Sequence, residues 1–337
     1  ASASISLSNS TLNELPWRLT TDFEFLQQLK KLDAVSVPLS KHADIFNGIQ
    51  TSAERPEPVY WFSLSEECGH NEKYRIFNRN GLEYHIEREI LKPYFKPTKH
   101  SEKGLNSYST LHTDKSIIFP YNSDGKLYPI DYMKTHFSGA YSYLESYYDR
   151  LVPKCVSKAG IRDVPNATAD TWYQYGRTQA LTSFINMPKL IVGILSKEPM
   201  YAYDESDMLI ASGGTAGYCA VTPNKGSPYA IEYIQAWLSH PYTEKILEMV
   251  GSDFEGGFIA RGTFVLSKLP FVELNLEDKK HRELYNNVLV KSKIIRQINV
   301  DLQTIHDKHG ISVLTRKKWN LIAEIQKLIA KVYRLEF

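Results

Sequence analysis

The chain reads as an α+β fold, a mixed α/β body closed by an antiparallel pair of long helices. Short apolar runs rich in β-branched and aromatic residues, bounded by Pro, Gly and Asn, alternate with stretches whose apolar residues recur every three or four positions. Towards the C-terminus the apolar positions step by four and three over several turns, twice in succession, the repeat of helices packed along one another. No solenoid-type period and no low-complexity block is present.

In order, residues 1–14 (beginning ASASISLSNS) read as a leader without fold information. Leu15-Pro16-Trp17 opens the body. Phe23, Leu26, Leu29 and Leu32 fall at helical spacing, with Lys30 and Lys31 where cations suit a helix C-terminus. Leu39–Gly48 reads as a connection into Gly48-Ile49-Gln50-Thr51, and Thr51–Pro58 as a polar loop. Val59–Leu64 and Tyr74–Phe77 read as strands, with Asn80-Gly81 a turn. Ile86–Leu91 reads as a short helix, followed by the basic, aromatic run Leu91–Pro97. Ser116–Tyr121 is a strand stopped by Pro120, and Tyr141–Leu151 a helix.

The stretch Ala169–Ile194 crowds Trp172, Tyr173 and Tyr175 around Gly176 and Arg177, and then runs into the apolar strand Leu190–Ile194. Met208–Val221 looks like a hairpin whose tip is Ser212–Gly217. From Tyr229 the spacing turns helical, interrupted at Pro241, and Phe258–Leu266 reads as another strand. Leu284, Val288, Lys291, Ile295, Ile298, Leu302 and Ile305 form the first long helical repeat. After a break at Gly310, Leu321 to Val332 form the second. The expected division is a body over 15–270, with a sub-boundary near 225, and a helical hairpin over 271–337.

With 337 residues the chain is long enough for two or three domains. A formal charge of +2 and a pI near 8.2 neither demand nor exclude a polyanionic partner; such a partner needs its cations focused on one face. The 22 Tyr suit wet interfaces as well as cores. Cys68, Cys155 and Cys219 lie far apart without a CxxC pair, against a disulfide framework or thiolate zinc site and in keeping with a reducing cytoplasm. No apolar run approaches the ~20 residues of a membrane span.

Catalytic signatures are sparse. There is no GxSxG elbow, HExxH or GxxxxGK loop. His306 and His309 make only an HxxH in a polar link. Asp253 with Glu277 and Lys279 has nuclease-like spacing, but Glu277 sits at a helix start, where acids are favoured anyway. Adenine methylation needs an Asn-Pro-Pro-Tyr type motif and a glycine-rich cofactor loop, and neither occurs.

Taken in order, Leu15-Pro16-Trp17, Gly48-Ile49-Gln50-Thr51, Leu91-Lys92-Pro93, Ile117–Tyr121, Tyr143-Leu144, Trp172-Tyr173 with Gly176-Arg177 and Gln179, Pro188-Lys189-Leu190, and Ser212-Gly213-Gly214 with Gly217-Tyr218 form a distinctive series. It resembles the C-terminal target recognition region of TaqI-like and type IIG adenine-N6 DNA methyltransferases, bacterial restriction-modification and phage-defence proteins. The resemblance covers about Leu15 to Pro270, and the closing helices fit the helical part that follows such regions. It implies a target-recognition-type mixed sheet with helices that grips double-stranded DNA. A catalytic domain, in cis or as a separate subunit, would carry the S-adenosylmethionine site; no cofactor is expected in this chain. It also implies that the chain is no enzyme on its own, and that it is cytoplasmic without membrane contact.

DNA reading needs cations and amides for phosphates and Arg, Lys, Asn or Gln for base edges. The candidates are Gln50, Thr51, Lys92, Tyr94, Lys96, Trp172, Tyr173, Tyr175, Arg177, Gln179, Lys189, Ser212, Gly213, Gly214 and Arg261. Arg177 and Gln179, two apart on extended backbone, would face the same side. Each has a plainer reading: the aromatics as core, Arg177 in an internal ion pair, Lys92 and Lys96 on a solvated loop. The polar loop Ser101–Asp114 is expected to order on DNA. Two other function classes compete: a protein-interaction module with a Tyr-rich face, and a nuclease or hydrolase with an unrecognised site.

Overall fold

The structure, a computed structural model, describes residues 22–96, 106–177, 181–184, 187–212, 217–250 and 258–336. Leu15-Pro16-Trp17 and Asp253 lie outside them. Helix α1 (Phe23–Asp33) begins where the Asp22 carboxylate accepts from the Phe25 amide at 3.0 Å. Glu24 in its first turn and Lys30 and Lys31 in its last complement the helix dipole. It buries Phe25, Leu29 and Leu32, while Phe23 points to solvent. Strands β1 (Ser36–Pro38) and β2 (Ala43–Asn47) follow, β2 standing where a connection was expected.

Next come β3 (Trp61–Ser63), β4 (Glu67–His70), β5 (Tyr74–Arg79), β6 (Leu82–Glu87), β7 (Leu91–Phe95) and β8 (Lys115–Ile118). Asn80 and Gly81 both have positive φ, 56° and 79°, as the two-residue turn between β5 and β6 requires. Residues expected as a helix from Ile86 instead finish β6, pass through a 3-10 turn at Arg88–Ile90 and enter β7. The apolar side chains at 86 and 90 mimic one helical face, yet Ile86 lies in β6 and Ile90 in the 3-10 turn, both buried in the core.

Helices α2 (Ile130–His136), α3 (Ser138–Ser146) and α4 (Tyr148–Leu151) pack over this region. Beyond them run β9 (Lys189–Gly193), β10 (Leu195–Ser196), β11 (Tyr201–Asp204), β12 (Leu209–Ile210) and β13 (Tyr218–Pro223). Then follow α5 (Ile231–Leu238), α6 (Pro241–Val250), β14 (Ile259–Ala260), α7 (Thr263–Ser267) and β15 (Pro270–Val272). The strand expected over Phe258–Leu266 is thus only β14, followed by the short α7.

Two four-stranded sheets organise the body, one in the order β11-β9-β13-β2 and the other β12-β7-β8-β3, beside the β4-β5-β6 meander. The first sheet is a wall between two cores. On β9, Leu190 and Val192 face one core and Ile191 the other; on β13, Cys219 and Val221 oppose Tyr218 and Ala220 in the same way. A strand covered on both faces reads as an unbroken apolar run, which is why β9 is conspicuous in the sequence. The tip expected at Ser212–Gly217 lies mostly outside the described residues, and the two runs of Met208–Val221 do not pair as one hairpin ladder; a single bond, from the Tyr218 amide to the Ala211 carbonyl at 3.4 Å, joins them. The first run, β12, pairs parallel with β7, whereas the second, β13, pairs with β9 and β2, so the chain crosses from one sheet to the other.

Helices α8 (Lys279–Thr304) and α9 (Lys308–Arg334) close the fold as the antiparallel pair that the apolar repeat predicts. Asp278 caps α8, and Asp307 caps α9 by accepting from the Gly310 amide at 2.7 Å. The break therefore lies at residues 305–307, and Gly310 belongs to the first turn of α9. Lys291, the charged member of the apolar series, pairs with Glu324 across the two helices. Val288, Ile295, Ile325 and Ile329 share a core with the fully buried α5, so the pair is packed onto the body.

Candidate functional site

The segment from Gly48 to Thr51 stitches the two sheets together. The Gly48 amide donates to the Tyr218 carbonyl at 3.2 Å, Ile49 to Ile210 at 2.8 Å, and Ser212 to Ile49 at 2.9 Å. A Cβ on Gly48 would lie 2.5 Å from the Ile210 carbonyl oxygen, so only glycine lets the two backbones approach this closely. The Arg177 amide then donates to the Gln50 carbonyl at 3.0 Å, and Gly176 to Thr51 at 3.3 Å, forming an antiparallel bridge at Gln50 and Arg177. Two candidates remote in sequence are thereby side by side, Arg177 exposed and Gln50 half-buried.

Directly before Arg177 the aromatic loop is buried. Trp172, Tyr173 and Tyr175 all lie in the core, where their side chains meet protein and offer no face to a ligand. The Tyr175 hydroxyl donates to the Ile118 carbonyl at 2.5 Å, that of Tyr173 to the Tyr128 carbonyl, and the Trp172 ring meets Tyr148 edge-on. Both tyrosine hydroxyls have an acceptor, the condition for burying a tyrosine. Burial raises the Tyr175 hydroxyl well above its ordinary pKa.

Arg162 is the clamp beneath this loop, and its sequence surroundings carry no signal of it. It is 3% exposed, and its guanidinium donates to the carbonyls of Leu151 at 2.7 Å, Thr51 at 2.9 Å and Gln174 at 2.6 Å. The rigid fork of an arginine suits three divergent carbonyls. It joins both chain segments that form the Gln50–Arg177 bridge, since Thr51 adjoins one residue and Gln174 lies just before the other.

The remaining cationic candidates are internally neutralised. Lys189 is wholly buried and pairs at 2.7 Å with Asp204, its cross-strand neighbour on β11. Arg261, equally buried, pairs with Glu244 of α6 and donates to the Ser196 carbonyl at 2.8 Å. Lys92 pairs with Asp207 at 2.8 Å. Lys96 pairs with Glu54, which also accepts from the Thr51 hydroxyl at 2.7 Å and the Trp61 indole at 3.0 Å. Burial raises the Glu54 carboxyl, but these hydrogen bonds together outweigh it and hold the group below its ordinary pKa. Thr51 and Glu54 stand at Thr-x-x-Glu spacing, a local signal that could have exposed Glu54. Tyr94 is buried beside Trp61.

Ser212 is half-buried at the sheet crossing, whereas Gly213, Gly214 and Gln179 lie outside the described residues. The polar loop is described from Asn106. There it is already fixed, with the Ser107 carbonyl accepting from Gln235 at 2.7 Å and the Tyr108 carbonyl from Asn299 of α8 at 2.8 Å. Glu277 is exposed beside the α8 cap. Among the described residues, no group of three His, Cys, Asp or Glu is placed to hold a metal ion, and no helix is long and apolar enough to cross a membrane.

No family model matches the chain. The type II restriction enzyme and methyltransferase RM.Eco57I of Escherichia coli is 30% identical to it over 272 residues, which is 80% of this chain and 26% of that protein. The chain thus spans about a quarter of the length of the curated relative it matches. It is a relative of restriction-modification enzymes, similar over most of its length to one part of such a protein.

Proposed function

We propose that the chain recognises a double-stranded DNA sequence for a restriction-modification adenine-N6 methyltransferase of the type IIG kind. The Gln50–Arg177 bridge carries this reading. It sets an exposed arginine beside an amide side chain on backbone pinned by Arg162, and so supplies a fixed display of the residue types that read base edges. Arg177 takes a guanine edge and Gln50 lies over the neighbouring pair; Ser212, whose amide donates to the Ile49 carbonyl, lies beside Gln50. Trp172, Tyr173, Tyr175 and Tyr94 act from below by fixing the loop and the strand.

In this reading residues 15–270 form the recognition part, with a sub-boundary near 225, and residues 271–337 a helical hairpin that serves as a spacer or docking element for the catalytic domain. A catalytic domain, in cis or as a separate subunit, supplies the S-adenosylmethionine chemistry, and the assembly works in the cytoplasm in defence against phage. Similarity to RM.Eco57I supports the restriction-modification context. The test is to incubate the full chain with a randomised duplex pool and sequence the retained fraction. An enriched motif supports recognition, and a retained fraction without one overturns it.

A further inference from the structure

Positive charge is concentrated on the closing pair of helices. From Lys279 to Arg334 the closing pair holds thirteen Lys and Arg against four Asp and Glu. That segment is +9 within a chain of +2, so the remainder carries −7. Lys317, Asn320, Glu324, Lys327, Lys331 and Arg334 step by three and four along α9, with Arg316 beside Lys317, opposite the buried Ile322, Ile325, Ile329 and Val332, and all are exposed. At 1.5 Å per residue the stripe is about 27 Å long. Its one acid, Glu324, is taken by Lys291 of α8.

We infer that this stripe is a phosphate-backbone contact for duplex DNA, which rests on the proposed DNA-recognition function. Helix stability does not account for it. The dipole favours Lys331 and Arg334 in the last turn but does not reach Arg316 and Lys317, and like charges four apart, as at Lys327 and Lys331, work against the helix. The candidates on the body differ in kind, since Lys92, Lys96, Lys189 and Arg261 each have a carboxylate. A straight row of cations without base-reading geometry supplies affinity and register but no sequence preference. The two surfaces divide the work: the Gln50–Arg177 bridge specifies, and α9 holds.

The test uses the full chain carrying Lys317→Gln, Lys327→Gln and Lys331→Gln, with Lys279→Gln, Lys280→Gln and Lys293→Gln on α8 as an equal-charge control. Affinity for a labelled random-sequence duplex is measured by fluorescence anisotropy between about 50 and 200 mM salt. The stripe variant should melt like the wild type and flatten the slope of log K against log salt by about 0.9 for each phosphate no longer neutralised, so by about 2 to 3 in all. The control should change it little. Retained binding with an unchanged slope, or an equal change in both variants, overturns the stripe and leaves the recognition reading standing. A wild-type chain that binds no duplex even at low salt overturns both.

Discussion

Arg177 and Gln50 face each other across an antiparallel bridge, the arginine amide donating to the glutamine carbonyl at 3.0 Å. The pairing joins a loop between the two sheets to the end of an aromatic segment. Neither segment forms a regular element there, so its precision depends on what lies beneath, above all Arg162.

Arg162→Lys keeps the net charge but loses the planar fork, and a single ammonium cannot reach the Leu151, Thr51 and Gln174 carbonyls together. The buried Leu151 carbonyl loses its donor, and the Thr51 and Gln174 carbonyls each lose one of two, which should cost about 2 kcal/mol in urea unfolding. Any DNA preference should blur while the salt dependence of binding stays the same. Wild-type stability in the variant would show that the clamp is dispensable.

Lys189→Met leaves Asp204 as a buried charge without its cross-strand partner and should destabilise the chain by about 3–5 kcal/mol. Adding Asp204→Leu should restore most of that loss, because an apolar pair of similar size avoids the desolvation of two ions. Unfolding midpoints of the single and double variants decide it; a single variant within about 1 kcal/mol of wild type is incompatible with the pair as described.

His240 gives the fold an acid-side weakness. Burial holds its imidazole down to about 4, with Tyr242 and Tyr333 packed on the ring and the Tyr242 amide donating to Nδ1 at 3.1 Å. An unfolded histidine takes up a proton near pH 6.5, which the folded one resists until about 4. Stability is therefore complete above about 6.5 and is lost as the pH falls to about 4, by up to about 3 kcal/mol. His240→Asn keeps an acceptor for the Tyr242 amide at the start of α6 and should flatten this part of the stability–pH curve. An identical curve in the variant would contradict the role of His240, because carboxylates with lowered pKa values, such as Glu54 and Glu273, lose their contribution only below their ordinary value of 4.5.

What can be read from the chain alone follows from the range of the forces involved. The closing helices, the Asn80-Gly81 turn and the buried strand at Leu190 are local patterns, and each is legible. β2 is not, because Ala43–Asn47 has no clean alternation and becomes a strand only by pairing with β13. The split of Met208–Val221 between two sheets depends likewise on β7 and β9. At the candidate site, Gln50 and Arg177 are legible as residue types, but their adjacency is not. The neutralisation of Lys92, Lys189 and Arg261 comes from Asp207, Asp204 and Glu244, brought in by tertiary structure. Tyrosines that look like a binding face are satisfied by distant carbonyls and fill the core.

Selection from a randomised duplex pool, run in parallel on the wild-type full chain and on Arg177→Ala, bears most directly on Arg177 as a base-reading residue. The wild type is expected to enrich one motif containing a guanine. The variant should enrich the same motif with preference relaxed at that guanine, a discrimination worth about 1–3 kcal/mol. The same motif at full stringency from both chains, whether or not overall affinity falls, would contradict it.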